Sequence, residues 1–335
     1  MTTKRHLTSG FTIIELGVVI VIIGVLATLT LVVYNGAQDN ARKAVLMSDL
    51  DNSVSVLELD LKRNGSYPAT VALADNGNGL PASSGTTYQY ALNNTNTPKT
   101  FCLTATKGTQ SYNINQDNIL SIGVCPVFSV DTANPTSYPG TGTVVVDLSG
   151  NGNNGTLMNG VGYSSSNSGV LTFDGVNDRV ETPIQTYGNN TTWSAWFNGA
   201  QSVNTYNMFM GRHLPYFGMY GGNSLVFSNS INGVQSTITS AANLSLNTWY
   251  YATFTTVYNG TNTTDNIYVN GSLVKSGTWA GAQTNYSYAF TIGDGHTPTW
   301  YPFKGMVSDV KVYDHTLSVN EIQQYFNFTR SRYGL

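Results

Sequence analysis

The sequence is short of charge. Acidic and basic side chains make up 10% of its 335 residues, against about 25% in an ordinary soluble domain. The formal net charge is −3, so no basic field is present to hold nucleic acid. Cysteine occurs twice, at Cys102 and Cys125, which is too few for a thiolate metal cluster. In an oxidising compartment the two suffice for one bridge; otherwise they are two free thiols. Catalytic patterns are missing as well. Glycoside hydrolysis needs two carboxylates about 5–10 Å apart, and no strand carries acids in an alternating E-x-D-x-E run. The nearest cluster, Asp174, Asp178 and Glu181, spreads over a turn. His213, His296 and His315 each lack a close acid or nucleophile signature. These absences point away from an enzyme.

What is abundant is turn and strand chemistry. There are 34 glycines and 21 tyrosines, set among long tracts of Asn, Ser and Thr. That mixture suits short strands joined by many turns in an exported β protein. The exception is residues 11–33, an apolar run whose one charge is Glu15. As a helix it would be about 35 Å long, enough to cross a hydrocarbon core of about 30 Å. Lys4 and Arg5 precede it, which keeps the first residues cytoplasmic and exports the rest. A carboxylate at that depth costs about 2.5–3.5 kcal/mol on insertion scales, so Glu15 needs a reason. The recognisable break, Gly10-Phe11, lies before the apolar run rather than after it, unlike a secretory signal.

The stretch SGFTIIELGVVIVIIGVLATL resembles the start of a type IV prepilin. The resemblance implies that residues 1–10 are a leader, removed by a prepilin peptidase between Gly10 and Phe11. It implies N-methylation of Phe11, passage through the inner membrane, and helices that assemble with other pilin subunits into a filament core. Glu15 would then meet the N-terminal amine of a neighbouring subunit. Many pilins have a proline about twenty residues into this helix; here Thr28, Thr30, Val32 and Val33 are the weaker helix formers, and Asn35-Gly36 invites a local break. Beyond it, Ala37, Ala41, Ala44, Val45, Leu50, Val54, Leu57 and Leu61 fall along one stripe. Asn64-Gly65 ends the helix and Pro68 prevents its resumption. The expected organisation is a helix over 11–63 and a small β head over 64–126, with strands at TTYQYAL, TFCLTAT, SYNIN and ILSIGVC. Pilin heads often carry a disulfide near their end, which implies a Cys102–Cys125 bridge stabilising by about 3 kcal/mol.

Residues 127–335 resemble a laminin-G-like, concanavalin A-like jelly roll. The matches are densest in DLSGNGNNGT, LTFDGVNDRVE and FKGMVSDVKVYDHTLSVNEI, so SVDTANPTSYPGTGT opens this domain although its composition suits a linker. The residues agree. GVLTF, TTWSAWF, NTWYYATFTTVY, NIYV and GMVSDVKVY are β-rich runs separated by turn chemistry. In NTWYYATFTTVY, Tyr250, Ala252 and Phe254 alternate with Trp249, Tyr251 and Thr253, predicting one buried and one wet face. Asn270-Gly271 is a two-residue hairpin signal. Ser318 and Glu321 form a capping box, with Leu317 and Ile322 as its staple, for a helix over 319–328.

The fold class expected is α+β: a long N-terminal helix with a small antiparallel sheet, followed by an all-β sandwich. Two aromatic loops, 211–221 and 293–303, offer Tyr216, Trp300 and Tyr301 for stacking on sugar rings, with His296 or Arg212 as hydrogen-bond donors. Calcium is the candidate cofactor, and Asp131, Asp147, Asp174 and Asp178 are the candidate ligands; turn geometry alone also accounts for such residues. The expected function is a minor or tip subunit of a type IV pilus, anchored in the cell membrane before assembly. Outside the cell it would display a lectin-like domain to a surface, glycan or polymer. A major pilin with a protective domain and a pseudopilin of a secretion system are the alternatives.

Overall fold

The structure is a computed structural model. It describes residues 13–335 apart from 96, 185–187, 201–205, 212, 222, 242–243, 285 and 295–300, and gives only the backbone of 27, 29–33 and 35. The expected processing site, Gly10-Phe11, lies outside the described residues.

Helix α1 runs over Ile13–Asn64, 52 residues, with Lys62 and Arg63 in its last turn. Gly65 follows at φ +69° and its N–H reaches Leu61 O at 2.9 Å, a left-handed cap that a side chain would disfavour. The helix runs on through Asn35-Gly36, where the sequence invites a break; a helical glycine costs only about 1 kcal/mol. Thr28 keeps its hydroxyl satisfied within the helix by donating to Gly24 O at 2.8 Å.

The buried stripe differs from the one expected. Leu46, Leu50, Val54 and Leu57 are buried, with Leu61 partly covered, whereas Ala37, Ala41 and Ala44 are exposed. Steps of four, four, three and four residues keep the larger side chains on one face, and cover begins only at Leu46. That cover is a sheet of β1 (Thr87–Asn93), β2 (Thr100–Lys107), β3 (Gln110–Asn115) and β4 (Leu120–Ile122), antiparallel in that order. Phe101, Leu103, Ala105, Tyr112 and Ile114 pack on the helix. On the other face of β2, Cys102 is bonded to Cys125, with Cα atoms 6.0 Å apart.

The remainder is a sandwich of two antiparallel sheets, each eight-stranded among the described residues. The first runs Ser272–Ala280, Asn262–Val269, Trp249–Tyr258, Thr191–Gly199, Lys304–Tyr313, Val170–Asp174 and Gly162–Ser164, with Phe128–Val130 also paired to Lys304–Tyr313. The second runs Val234–Thr239, Ser224–Ile231, Tyr216–Tyr220, Asn207–Gly211, Thr291–Ile292, Arg179–Glu181, Gly155–Met158 and Val144–Val145. Between them lie Trp193, Phe197, Phe209, Phe217, Phe227, Phe254 and Phe290, among others. The segment read as compositionally linker-like enters the first sheet through Phe128–Val130.

At Trp249, Tyr251 and Thr253 the outer face of the first sheet is dry, contrary to the alternation expected for NTWYYATFTTVY. Trp249 and Tyr251 are buried with Trp196 and Tyr313 under a terminal helix, Val319–Thr329. Alternation fixes which side chains leave the core, and a later segment covers them. The helix starts at the Ser318–Glu321 capping box, and Leu317 and Ile322 are both buried. Asn270 (φ +49°) and Gly271 (φ +79°) turn the hairpin as expected. Among the described residues no helix is long and apolar enough to cross a membrane.

The stripe yields a discriminating pair of variants. Leu50→Ala is expected to cost about 2–5 kcal/mol, whereas Ala41→Ser should stay within about 0.5 kcal/mol. Chemical denaturation of the full chain measures both, and equal effects would contradict the Leu46–Leu61 stripe.

Candidate functional site

The outer face of the second sheet is covered by aromatic side chains rather than by a helix, and its own side chains are set by register. Phe227 points into the core, so Val226, Ser228 and Ser230 point out. Tyr216 stands opposite Ser228, and Ser228 opposite Thr237. Met208, Leu214, Tyr216 and Val226 make an apolar floor, and Tyr206, Tyr286 and Tyr301 pack against it. Tyr206 stacks on Tyr220 at 4.4 Å between centroids and lies 4.7 Å from Tyr301 and 5.6 Å from Tyr216. His213 packs on Tyr286 at 5.7 Å and on Tyr288 at 5.1 Å.

Hydroxyls and one amide line the same face. Gln235 Nε2 donates to Tyr216 Oη at 3.0 Å and approaches Ser228 Oγ at 3.4 Å. Ser228 and Thr237 share a bond of 2.7 Å, and Ser230 meets Tyr286 Oη at 3.3 Å. Burial pushes the Tyr216 hydroxyl up to about 12, so it stays neutral and keeps both donor and acceptor character. Tyr220 and Tyr288 are 38% and 40% exposed. The face therefore offers the rings of Tyr220 and Tyr288 together with the exposed amide of Gln235 and hydroxyl of Thr237.

The structure brings together two of the four ligand residues read from sequence, Tyr216 and Tyr301. Their roles change: residues 216–220 form a strand rather than a loop, and Tyr216, 6% exposed, is floor rather than a stacking platform. His296 and Trp300 lie outside the described residues, as does Arg212. Sequence reasoning missed Tyr206, Tyr220, Tyr286 and Tyr288. The available signal was tyrosine at alternate positions in NYSY, which places two rings on one side of an extended segment.

The four acids read as calcium ligands do not form one set. Asp131 is paired with Arg332 at 2.7 Å. Asp147 is fully buried and accepts from Ser129 N, Ser149 N and Asn153 N at 2.9 Å each, and from Ser149 Oγ at 2.7 Å. Burial raises its carboxyl above the ordinary range, partly offset by those donors. Asp174 and Asp178 share one turn, Asp174 N donating to Asp178 Oδ2 at 3.0 Å. Among the described residues no three His, Cys, Asp or Glu side chains stand together to hold a metal. His315, expected to lack a nearby acid, has Nδ1 3.2 Å from Asp314 Oδ1.

Beneath the tyrosine face the two sheets are tied by a buried acid. Asp265 accepts from Thr256 Oγ1 at 2.7 Å and from Asn229 Nδ2 at 3.3 Å. Burial raises it to about 6, against the lowering effect of Thr256 and Asn229.

Residues 173–323 match the family described as the Concanavalin A-like lectin/glucanases superfamily, so this part of the chain is a concanavalin A-like sandwich. No curated protein sequence matches the chain. Among solved structures it is similar to the receptor-binding domain of botulinum neurotoxin type G, at 15% identity and TM-score 0.46, over 61% of this chain and 51% of that one. It is similar to the binding domain of Paraclostridial Mosquitocidal Protein 1, at 17% and 0.47, over 61% and 52%. It is also similar to domain 4 of AbnA, a GH43 extracellular arabinanase from Geobacillus stearothermophilus in complex with arabinotriose, at 18% and 0.46, over 59% and 97%. The chain spans about half the length of the two toxin domains.

Asp265 gives a pH signature. Its folded value, about 6, lies above the unfolded one of 3.8, so the folded state holds the proton more tightly. Its contribution is therefore fully present below pH 4 and falls away as pH rises to 6, by up to about 3 kcal/mol. Asp265→Asn is expected to flatten that part of the stability–pH curve, measured by denaturation from pH 4 to 7; an unchanged slope would remove Asp265 as its source.

Proposed function

We propose that the chain is a subunit of a type IV pilus-like filament that carries a carbohydrate-binding sandwich on its outside. The observation that carries the anchoring half is the state of α1 before the head begins. The described side chains of residues 13–26 are almost all aliphatic and exposed, from 90% at Ile13 to 43% at Val19. A helix that is apolar on every side has to be covered, by lipid or by other apolar helices. Both covers fit a prepilin that waits in the membrane and then joins a filament. Residues 1–10 would be its leader, cut by a prepilin peptidase between Gly10 and Phe11, with Phe11 methylated. The proposed span, residues 11–33, falls partly outside the described residues.

The binding half rests on the tyrosine face. Exposed rings suit the C–H faces of sugars, and the neutral hydroxyls and amide beside them suit sugar hydroxyls. Binding rather than catalysis is the proposed role, because several buried or part-buried carboxylates are already committed. Asp131 is held by Arg332, Asp147 by loop donors, Asp265 by Thr256 and Asn229, and Asp309 by Lys311 and Tyr325. Calcium is not proposed as part of the tyrosine face.

Two measurements test the halves separately. On a glycan array with the full chain in detergent, the wild type should bind, and the Tyr220→Ala, Tyr288→Ala double variant should lose at least tenfold in affinity with an unchanged melting temperature. Silence of the wild type across neutral and acidic glycans would remove the binding half. For the anchor, Glu15→Ala should enter the membrane normally yet be missing from sheared surface filaments; wild-type incorporation of this variant would contradict the assembly role of Glu15.

A further inference from the structure

We infer that the joint between head and sandwich is a weld rather than a hinge, so the tyrosine face is held in one orientation, turned away from α1. The connector has no slack. Cys125 is bonded to Cys102 in β2, and its N–H donates to Thr104 Oγ1 at 2.9 Å. Two residues on, Val127 N–H already donates to Val312 O at 2.8 Å in the first sheet. Only Pro126 lies between these fixed points, and its φ is locked by its ring. On the head side, Asn113 Nδ2 holds Gly123 O at 3.1 Å and Val124 O at 3.2 Å.

Contacts at both edges of the head sheet oppose rotation about that connector. At the β1 edge sits the loop of residues 147–155, shaped around the buried carboxylate of Asp147. It brings Gly150 (φ +82°) and Gly152 (φ +75°) against the strand. A Cβ on Gly150 would lie 2.8 Å from Ala91 C, and one on Gly152 would run into Asn93 Nδ2. Near the β4 edge, Tyr325 and Phe328 of the terminal helix share an apolar groove with Leu120 and Ile122. Between β3 and β4, Asp117 accepts from two sandwich residues, Asn134 Nδ2 at 2.8 Å and Thr136 Oγ1 at 2.7 Å. A cleft of about 430 Å³ remains beside the connector, so the joint is held by its connector and edges rather than by one continuous apolar interface.

The direction follows from which sheet the head meets. It contacts the terminal helix, which covers the outer face of the first sheet, whereas the tyrosines occupy the outer face of the second. The weld stands without the carbohydrate reading; only the value of the orientation rests on it. Calorimetry reads the weld without any ligand.

The test is calorimetry and thermolysin digestion of the full chain in detergent micelles. The wild type should melt in one transition for head and sandwich, with slow cleavage between residues 123 and 127. Gly150→Val should split the transition in two. Gly142→Val controls for backbone strain, because Gly142 has φ +91° with nothing within 4 Å of its Cβ position; it should lower the single transition without splitting it. Asp117→Ala, a milder change should Gly150→Val not fold, should speed connector cleavage at least tenfold. Two transitions in the wild type would overturn the weld. So would Gly150→Val behaving like Gly142→Val, or Asp117→Ala leaving cleavage unchanged.

Discussion

A strand buried on both faces needs two covers, and that requirement organises the sandwich. In Thr191–Gly199, Trp193, Ala195 and Phe197 face the second sheet while Trp196 faces away from it. The strand's alternation cannot be altered without shifting every side chain to the other face. The second sheet supplies one cover. The other is the terminal helix with the residues after it, where Tyr333 stacks on Trp196 at 3.9 Å. Arg332 fixes this segment by donating to Asp131 Oδ1 at 2.7 Å and Ser308 Oγ at 2.7 Å. Nearby, Asp309 is buried. Burial alone would raise its carboxyl, but Lys311 and Arg332 hold it below the ordinary range. A charge cluster of this kind tolerates burial because each member is paired and hydrogen-bonded.

The same cover explains how a small head can carry a larger sandwich. The helix that seals Trp196 also presents Tyr325 and Phe328 to the head. The loop that closes the sandwich edge presents two glycines to β1. Surface that a free-standing sandwich would leave to solvent is thus shared with its neighbour. The disulfide is placed where the two bodies meet, tying the connector to β2, whose Phe101 and Leu103 pack toward α1.

Local chemistry was legible in the sequence because its causes are local. The Ser318–Glu321 box, the Asn270-Gly271 turn, the end of α1 at Asn64-Gly65 and the head strands depend on residues a few positions apart. The concanavalin A-like character of the sandwich was legible too, through FDGVND and the GMVSDVKVY run. Features assembled from distant segments were not. The wet face expected for Trp249 and Tyr251 is covered by residues some seventy positions later. The tyrosine face draws on residues 206, 216, 220, 286, 288 and 301, which only the strand order brings together. DLSGNGNNG read as a source of oxygen ligands, but its Asp147 organises the loop and its glycines allow close approach to β1. Composition could not separate these roles, since both demand Asp, Asn and Gly. The alanine stripe failed because periodicity shows which residues share a face, not where along the helix cover begins.

The burial of Tyr333 has a temporal consequence. Phe128–Val130 pairs with a strand some 180 residues further on, and the outer face of that strand's sheet is sealed by the terminal helix and then by Arg332 and Tyr333. Contacts so far apart in the chain form slowly. A polypeptide emerging from its N-terminus can complete the head on α1 early, since β1 to β4 close on nearby residues. The sandwich, by contrast, keeps Trp196 and Tyr251 open to water until the final turn has been delivered. In chain order, then, the pairings of the head are complete long before those of the sandwich.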